Sequence, residues 1–526
     1  MVRTKPALPA GHGEVLSRPH FSQWAGLARA NHDAAADWSF TVAGLGAREV
    51  RSLARREALS AAEEFSARLG VKVKAPGDPE GLVVMTGHQP ELYHPGVWIK
   101  DFLLQRLAEE TGASALDLVV DTDGFEAIAV SMPCMRPSVA RCQQDLALAT
   151  EDMCFAGAPV PSDDDFDVFC AGVDSMLDTL PAPAIRHHFS AFCVHLRSAA
   201  EVAENLAELI TIARRRYEAA AGTDYLELPL TRLAHTRGWH YFVADIAVNA
   251  TRFAAAYNSE LAEYRAVNKT RSAAQPFPDL LLDDESVELP LWRIVNGRRG
   301  SVRASVRTGR GVDLLDAGGS VFATLPASGA DAVEALRVSG AVLAPKALAL
   351  TLFVRLFVTD LMIHGVGGGR YDRVTDGVCR RYYGVEPPAY VVASMTMYLP
   401  LGAHVVSEDE VATAKERLNR LEHNPDALLG EVDFDSAEEE RRAMDLSADK
   451  ARLVAEIATP DADKKQLGAR IRENNAELSA VLEPLRQELV TELASLESQY
   501  AASSILTDRT YPFCFWSPLE VADKAR

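Results

Sequence analysis

The chain has 526 residues, of which 48% are hydrophobic and 24% charged, and its formal net charge is −20. At roughly 100–200 residues per domain this length implies two to four structural units, and the composition is that of a globular protein and excludes long-range disorder. The acidic balance excludes a general nucleic-acid binder, which needs an excess of Lys and Arg to neutralise phosphates, but leaves room for a local basic pocket that takes a phosphorylated small molecule.

Seven cysteines, Cys134, Cys142, Cys154, Cys170, Cys193, Cys379 and Cys514, occur without any CxxC spacing. An odd, scattered set suits a reducing compartment better than a disulfide framework. The opening MVRTKPALPAGHGE lacks the apolar stretch of a signal peptide. The longest apolar run, near Ala347–Val358, is cut by Arg355 and falls short of the roughly 18–20 residues of a membrane helix. A cytoplasmic protein with no membrane partner is expected.

Residues 1–80 read as helical, with Val50, Leu53, Ala54, Ala61, Phe65 and Leu69 at helical spacing and Gly70 as a stop. Gly81–Gly87 then forms a short apolar run that suits a buried strand, Val97–Glu110 has amphipathic spacing, and Ala115–Asp121 is a second buried strand. Strand, loop, helix and strand make a βαβ unit with a right-handed crossover. Ligands gather at the carboxyl ends of such strands, which puts Gly87–Gly96 and Asp121–Glu126 on one rim.

Residues 130–280 alternate helical stretches with breaks at Pro159–Asp167 and Pro181–Pro183, and their order is not fixed by pattern. A small β insertion is expected at about 286–325, where Ser301–Arg307 alternates and Asn296-Gly297 signals a hairpin. The α/β core, 81–404, resumes with the apolar Ala341–Met362, a flexible loop at Gly365–Gly369, and a strand at Tyr390–Tyr398. A helical arm spans 405–500. Ser407-x-x-Glu410 and Ser436-x-x-Glu439 are capping boxes, Asn424-Pro425 and Thr459-Pro460 separate helices, and Pro484 kinks one. Leu478, Leu482, Leu485, Leu489, Leu493 and Leu496 step by three or four, the seam of a coiled-coil-like pairing. The tail, 501–526, carries Tyr511, Phe513, Phe515 and Trp516 and is expected to pack back on the core.

Chemistry concentrates at Gly87-His88-Gln89-Pro90-Glu91-Leu92-Tyr93-His94-Pro95-Gly96. Backbone N–H groups at the following helix start favour an anion, and two histidines there can stabilise charge developing on a phosphate or carbonyl oxygen; the alternative is a Pro/Gly turn with two surface histidines. Asp121 to Glu126 can position an amine, take a proton or hold Mg²⁺, or form an acidic turn. Gly365–Gly369, with His364, Arg370, Tyr371 and Asp372 beside it, wraps a phosphate or is a mobile turn, since it has neither GxGxxG spacing nor a Walker lysine. Arg293, Arg298, Arg299, Arg303, Arg307 and Arg310 form an Arg-rich hairpin, a phosphate clamp or, in the preferred reading, a solvated face. His187, His188 and His195 lack an accompanying metal pattern, so no metal site is assigned.

The stretch VVMTGHQPELYHPGVWIKDFLLQRLAEE, followed by LDLVVDTDGFEAI, resembles the cysteine-adding enzymes of bacillithiol biosynthesis. Gly87, Gln89, Pro95 or Gly96, Lys100 and Asp121 to Glu126 fall on that family's motif positions. TDLMIHGVGGGRY is similar to its glycine loop, with Gly365, Gly367 and Tyr371 matching. His88 stands where the family has its first glutamine, and Gly368 where its loop has a glutamate. The resemblance implies a Rossmann-like parallel-sheet core of nucleotidyltransferase type, a C-terminal coiled coil, and a homodimer through residues 405–500. It also implies an ATP-dependent ligase that joins an amino acid or other carboxylate to an amine, with ATP or ADP and Mg²⁺ as cofactors and a small molecule as substrate. His88, His94, Asp121 and Asp123 would be catalytic. Gly87, Gln89, Gly96, Lys100, Gly365, Gly367, Gly368 and Tyr371 would hold the nucleotide. A nucleotidyltransferase and a non-catalytic dimerising scaffold are the alternatives.

Overall fold

The computed structural model describes residues 7–135, 139–272, 274–307, 311–402, 406–434 and 436–526. Its central sheet is built from β1 (Glu14–Arg18), β2 (Val83–His88), β3 (Ser114–Val119), β4 (Leu226–Pro229), β5 (Leu361–His364) and β6 (Tyr390–Thr396). The spatial order is β1-β6-β5-β2-β3-β4. The last five are parallel, and β1 closes one edge antiparallel to β6, Glu14 opposite Thr396. Every residue of β3, β4 and β5 is buried, as in a parallel sheet covered on both faces, although Asp117, Glu227 and His364 interrupt the apolar pattern. The protein is thus of the α/β class. From β2 the chain winds outward to β3 and β4, then returns to start β5 on the other side of β2. That reversal is a topological switch point, where open parallel sheets form their ligand crevice.

Five helices matter for the site: α1 (Ala47–Ser66), α2 (Pro95–Thr111), α3 (Leu206–Glu218), α4 (Ala347–Phe357) and α5 (Val366–Tyr383). Pro95 opens α2, where its missing N–H costs nothing, and Gly112 ends it with φ 73°. The spacing of α2 reads as amphipathic, yet Trp98, Ile99, Phe102, Leu103, Leu104 and Leu107 bury it on nearly every side. At the amino ends of the strands, Asp360 accepts hydrogen bonds from Arg51 at 2.5 Å, from Arg55 at 2.9 Å and from the Val83 N–H at 2.8 Å. One carboxylate therefore ties α1 to β2 and β5.

The amino-terminal segment is not wholly helical. It contributes β1, a helix at Trp24–Ala35, and a two-residue ladder between Thr41–Val42 and Leu45–Gly46. A five-residue strand such as β1 has too little length to show a period and is specified by its pairing with β6. The β insertion is an antiparallel five-stranded sheet made of Ser286–Val295, Arg298–Arg307, Gly311–Leu315, Val321–Leu325 and Val342–Pro345. It therefore reaches past residue 325. Its first turn places Asn296 at φ 50° and Gly297 at φ 73°, the left-handed pair a tight hairpin needs.

Residues 133–141 and 400–508 form a second compact unit. Its helices are Glu408–His423, Ala437–Ile457, Lys464–Val481 and Glu483–Leu506. Leu478, Leu482, Leu485 and Leu489 are buried in one cluster with Leu421, Leu428 and Ala443, so this part of the leucine seam is covered within the unit. Pro484 does not kink a continuous helix. The helix stops at Val481 and a new one starts at Glu483, with proline in the first turn. Tyr511, Phe513, Phe515 and Trp516 belong to the first unit and are buried there. Phe513 packs on Trp98 at 5.0 Å and on Phe192 at 5.3 Å. Among the described residues no helix is long and apolar enough to cross a membrane.

Candidate anion-binding site

A cleft of about 1010 Å³ opens at the carboxyl ends of β2, β3 and β5. β2 and the loop after it supply Gly87, His88 and Gln89; the start of α2 supplies His94, Gly96 and Lys100. Asp123 comes from beyond β3, His364 from the end of β5, and Gly365, Gly367, Gly368, Arg370 and Tyr371 from the start of α5. Two motifs distant in the chain thus meet because β2 and β5 are neighbours in the sheet.

The two histidines of the first motif carry their ring protons on opposite atoms. His88 Nδ1 donates to the Gln89 carbonyl at 2.9 Å, which leaves the Nε2 lone pair as an acceptor. Burial, with the Lys100 ammonium nearby, pushes this imidazole down to about 3, so it stays neutral at physiological pH. His94 caps α2 by accepting the Gly96 N–H on Nδ1 at 3.0 Å, which puts its proton on Nε2. One ring therefore offers a lone pair and the other an N–H. Lys100, one turn into α2, donates from Nζ to the Gly87 carbonyl at 2.9 Å. Burial lowers its pKa, against the opposing field of Asp101 and Asp117.

The acidic rim divides. Asp123 faces the cleft, held by Gln89 Nε2 at 3.0 Å and by Arg299 at 2.6 Å. Asp121 does not: both of its oxygens accept from Thr231, through the backbone N–H and the hydroxyl, and it is buried away from the cleft lining. Asp121, expected to be catalytic with His88, His94 and Asp123, is thus separated from them and stands outside the cleft lining. β3 ends at Val119, and Asp121 turns inward to brace the short helix Leu230–Leu233 that follows β4. Burial pushes its carboxyl up to about 6, against the two Thr231 hydrogen bonds.

Residues 365–369 are not a flexible loop. Gly365 is an extended N-cap and the other four form the first turn of α5. None of these glycines has a positive φ. A Cβ at Gly365 or Gly367 would meet open space, whereas one at Gly369 would run into Val392 of β6. Glycine at 369 lets helix and strand pack closely, and the turn before it presents helix-start N–H groups to the cleft. Behind it, His364 Nε2 lies 2.9 Å from Asp372, which also takes Arg355 at 2.7 Å. Burial opposes ionisation of Asp372, but Arg355 and His364 outweigh it and hold the carboxyl well below its usual range.

Several cleft residues are not evident from sequence. Arg509 donates to the Ser394 hydroxyl at 2.9 Å and to the Met395 carbonyl at 2.6 Å, at the carboxyl end of β6. Lys346 precedes α4 and pairs with Glu288 at 2.6 Å over the face of Trp292. Neither position carries a motif. His364 does carry a signal, because β2 and β5 both end in a histidine followed within a few residues by a helix start. Among the described Arg side chains of the hairpin, only Arg299 lines the cleft; Arg293 pairs with Asp316 and Arg303 with Asp283. The Arg307 side chain and Arg310 lie outside the described residues.

Among the described lining residues, Lys100, Arg299, Lys346, Arg370 and Arg509 face the lone carboxylate of Asp123. The helix starts of α2 and α5 add partial positive charge at the same place. A second cavity of about 660 Å³, lined by Glu91, Phe125, Glu126, Gln143 and Asp152, shares Arg299 with the cleft. A Cβ at Gly124 would collide with this guanidinium, so glycine lets Arg299 lie across the turn between the two spaces. Among the described residues no group of three His, Cys, Asp or Glu side chains is placed to hold a metal ion. Magnesium needs no such cage, since it is commonly bound by one or two carboxylates together with substrate phosphates. The donor set fits a phosphate-bearing ligand.

Fold and cleft define a class: an α/β protein with a cationic crevice at the switch point of a parallel sheet. No protein-family model matches this chain, and no curated protein matches it.

Proposed function

We propose that the cleft binds a nucleotide and that the protein is an ATP-dependent ligase, joining an amino acid or other carboxylate to an amine in small-molecule biosynthesis. One observation carries this reading: two helix starts and five cationic side chains converge on one crevice in a chain of net charge −20. Each of these cations also holds a protein group, Arg299 with Asp123 and Lys346 with Glu288 among them, and together their positive charge attracts polyanions. Lys100, Arg509 and the first turns of α2 and α5 would hold the phosphates, and Asp123 would share a magnesium ion with them. The nucleotide supplies the leaving group that makes a carboxylate open to attack. The neutral His94 ring would donate a hydrogen bond from its Nε2–H to an anionic oxygen and keep its proton. His88 offers its Nε2 lone pair to an amine N–H, and at about 3 its pKa makes it an orienting acceptor and a poor base. The carboxylates beyond Arg299 give the amine a counter-charge. Bringing both reactants to one rim is where such an enzyme gains most of its rate. The resemblance to the bacillithiol cysteine-adding enzymes supports a cytoplasmic setting.

Calorimetry with ATP and ADP in the presence of Mg²⁺, on wild type, His88→Ala and Lys100→Ala, tests the reading. Binding by wild type that weakens about tenfold or more in Lys100→Ala supports it, a loss of about 1.4 kcal/mol. Absence of binding by the wild type rejects it. Products then separate the two enzyme classes: free AMP or ADP marks a ligase, and a stable nucleotide conjugate marks a nucleotidyltransferase. Light scattering tests the homodimer through residues 405–500, which the mass of a single chain in solution would rule out.

A further inference from the structure

Outside the cleft, two cysteines meet. Cys170 lies on the helix Asp163–Leu177 and Cys193 on Pro183–Ala200, which packs against it. Their Sγ atoms are 3.3 Å apart, both residues are half-buried, and neither is in a disulfide. A disulfide bond is about 2.05 Å long, so the sulfurs must approach by roughly 1.3 Å, which small side-chain rotations can supply. Arg197, one turn beyond Cys193, is fixed by Asp167 at 2.6 Å and lies beside Cys170.

We infer that Cys170 and Cys193 form a redox site, a dithiol that closes to a disulfide by exchange with a low-molecular-weight disulfide.

The geometry assigns the two sulfurs different roles. When Cys170 is ionised, the Cys193 thiol donates to it. That hydrogen bond, with the Arg197 guanidinium adding to it, pulls Cys170 down to about 7, near ambient pH where a thiolate attacks best. The same hydrogen bond keeps the proton on Cys193, whose pKa is pushed up, and it disappears once Cys170 is capped. In the first step the Cys170 thiolate attacks one sulfur of RS–SR, forming Cys170–S–SR and releasing RS⁻. Cys193 then loses its proton to solvent and attacks the Cys170 sulfur, closing the internal bond and releasing the second RS⁻. Two protein thiols are oxidised and one small disulfide is reduced to two thiols. The cross-link would tether the helix whose Phe192 supports Phe513, and the Phe513 N–H in turn holds the Tyr93 carbonyl at 2.7 Å beside His88.

The test uses the full chain incubated with oxidised glutathione, alkylated with iodoacetamide in denaturant, and mapped by mass spectrometry. The expected result is a loss of two of the seven thiols, with the Cys170 peptide joined to the Cys193 peptide and two hydrogens lost. Dithiothreitol restores both. Cys193→Ser is expected to stop at the first step and accumulate glutathione on Cys170. A stable glutathione adduct on Cys170 in the wild type, or full alkylation of both cysteines after treatment, overturns the inference. The wild-type map decides the matter even if the variant fails to fold.

Discussion

At the scale of residues, two titrating groups near the cleft pull stability in opposite directions with pH. His88 is held near 3, below the unfolded value of about 6.5, so between those pH values the unfolded chain binds more protons and stability falls as pH falls. Asp121 is held near 6, above its unfolded value of about 3.9, so over that window the folded chain binds more protons and stability falls as pH rises. Each fully differing proton is worth about 1.4 kcal/mol per pH unit. Urea titrations between pH 6.5 and 4 are therefore expected to show a shallower acid loss in His88→Gln and a steeper one in Asp121→Asn. Identical slopes in all three proteins would mean that neither group is buried as described. The His88-to-His94 motif was legible as a strand end leading into a helix. The opposite ring protonation was not, because it depends on which backbone group each ring meets.

Elements are fixed by a few close approaches. The four glycines among residues 365–369 illustrate this well: flexibility is what the composition indicates, and a helix start is what the neighbours impose. Gly367→Ala places its methyl in open space on a helix and is expected to leave stability unchanged or raise it by up to about 1 kcal/mol. Gly369→Ala forces a methyl into Val392 and is expected to cost about 1–3 kcal/mol. Denaturant midpoints of the two variants decide it, and equal effects would return the segment to a loose turn. At the other end of the strands, Asp360→Ala leaves Arg51 and Arg55 buried without their carboxylate, a loss of about 3–5 kcal/mol. A change under about 1 kcal/mol would show that water takes over the carboxylate's role. The capping box at Ser407 and the N-cap at Ser436 are readable because their geometry is local: Ser407 accepts the Glu410 N–H at 3.3 Å and its own N–H bonds Glu410, whereas Ser436 accepts the Glu439 N–H at 3.2 Å without a reciprocal bond from its own N–H among the described residues.

Over the whole molecule, a net charge of −20 surrounds a crevice lined by five cations. Long-range repulsion of an anion by the surface and attraction by the crevice are both screened by salt, but the contacts inside are what hold the ligand. Affinity for a nucleotide is expected to fall as salt rises from 50 to 500 mM. An affinity indifferent to salt would place the ligand away from Lys100, Lys346 and Arg509. Local patterns in the chain specify the α/β class, the βαβ unit around Gly87 and the hairpin at Asn296-Gly297. Those features rest on periodicity, turn chemistry and caps, which act over a few residues. That β1 joins the sheet, that the helix start at Gly365 lines the same cleft as His88, that Asp121 turns inward, and that Lys346 and Arg509 complete the crevice follow from the folded arrangement alone. Each of these depends on strand order and on contacts between residues far apart in the chain, and no local pattern encodes which distant strand becomes a neighbour.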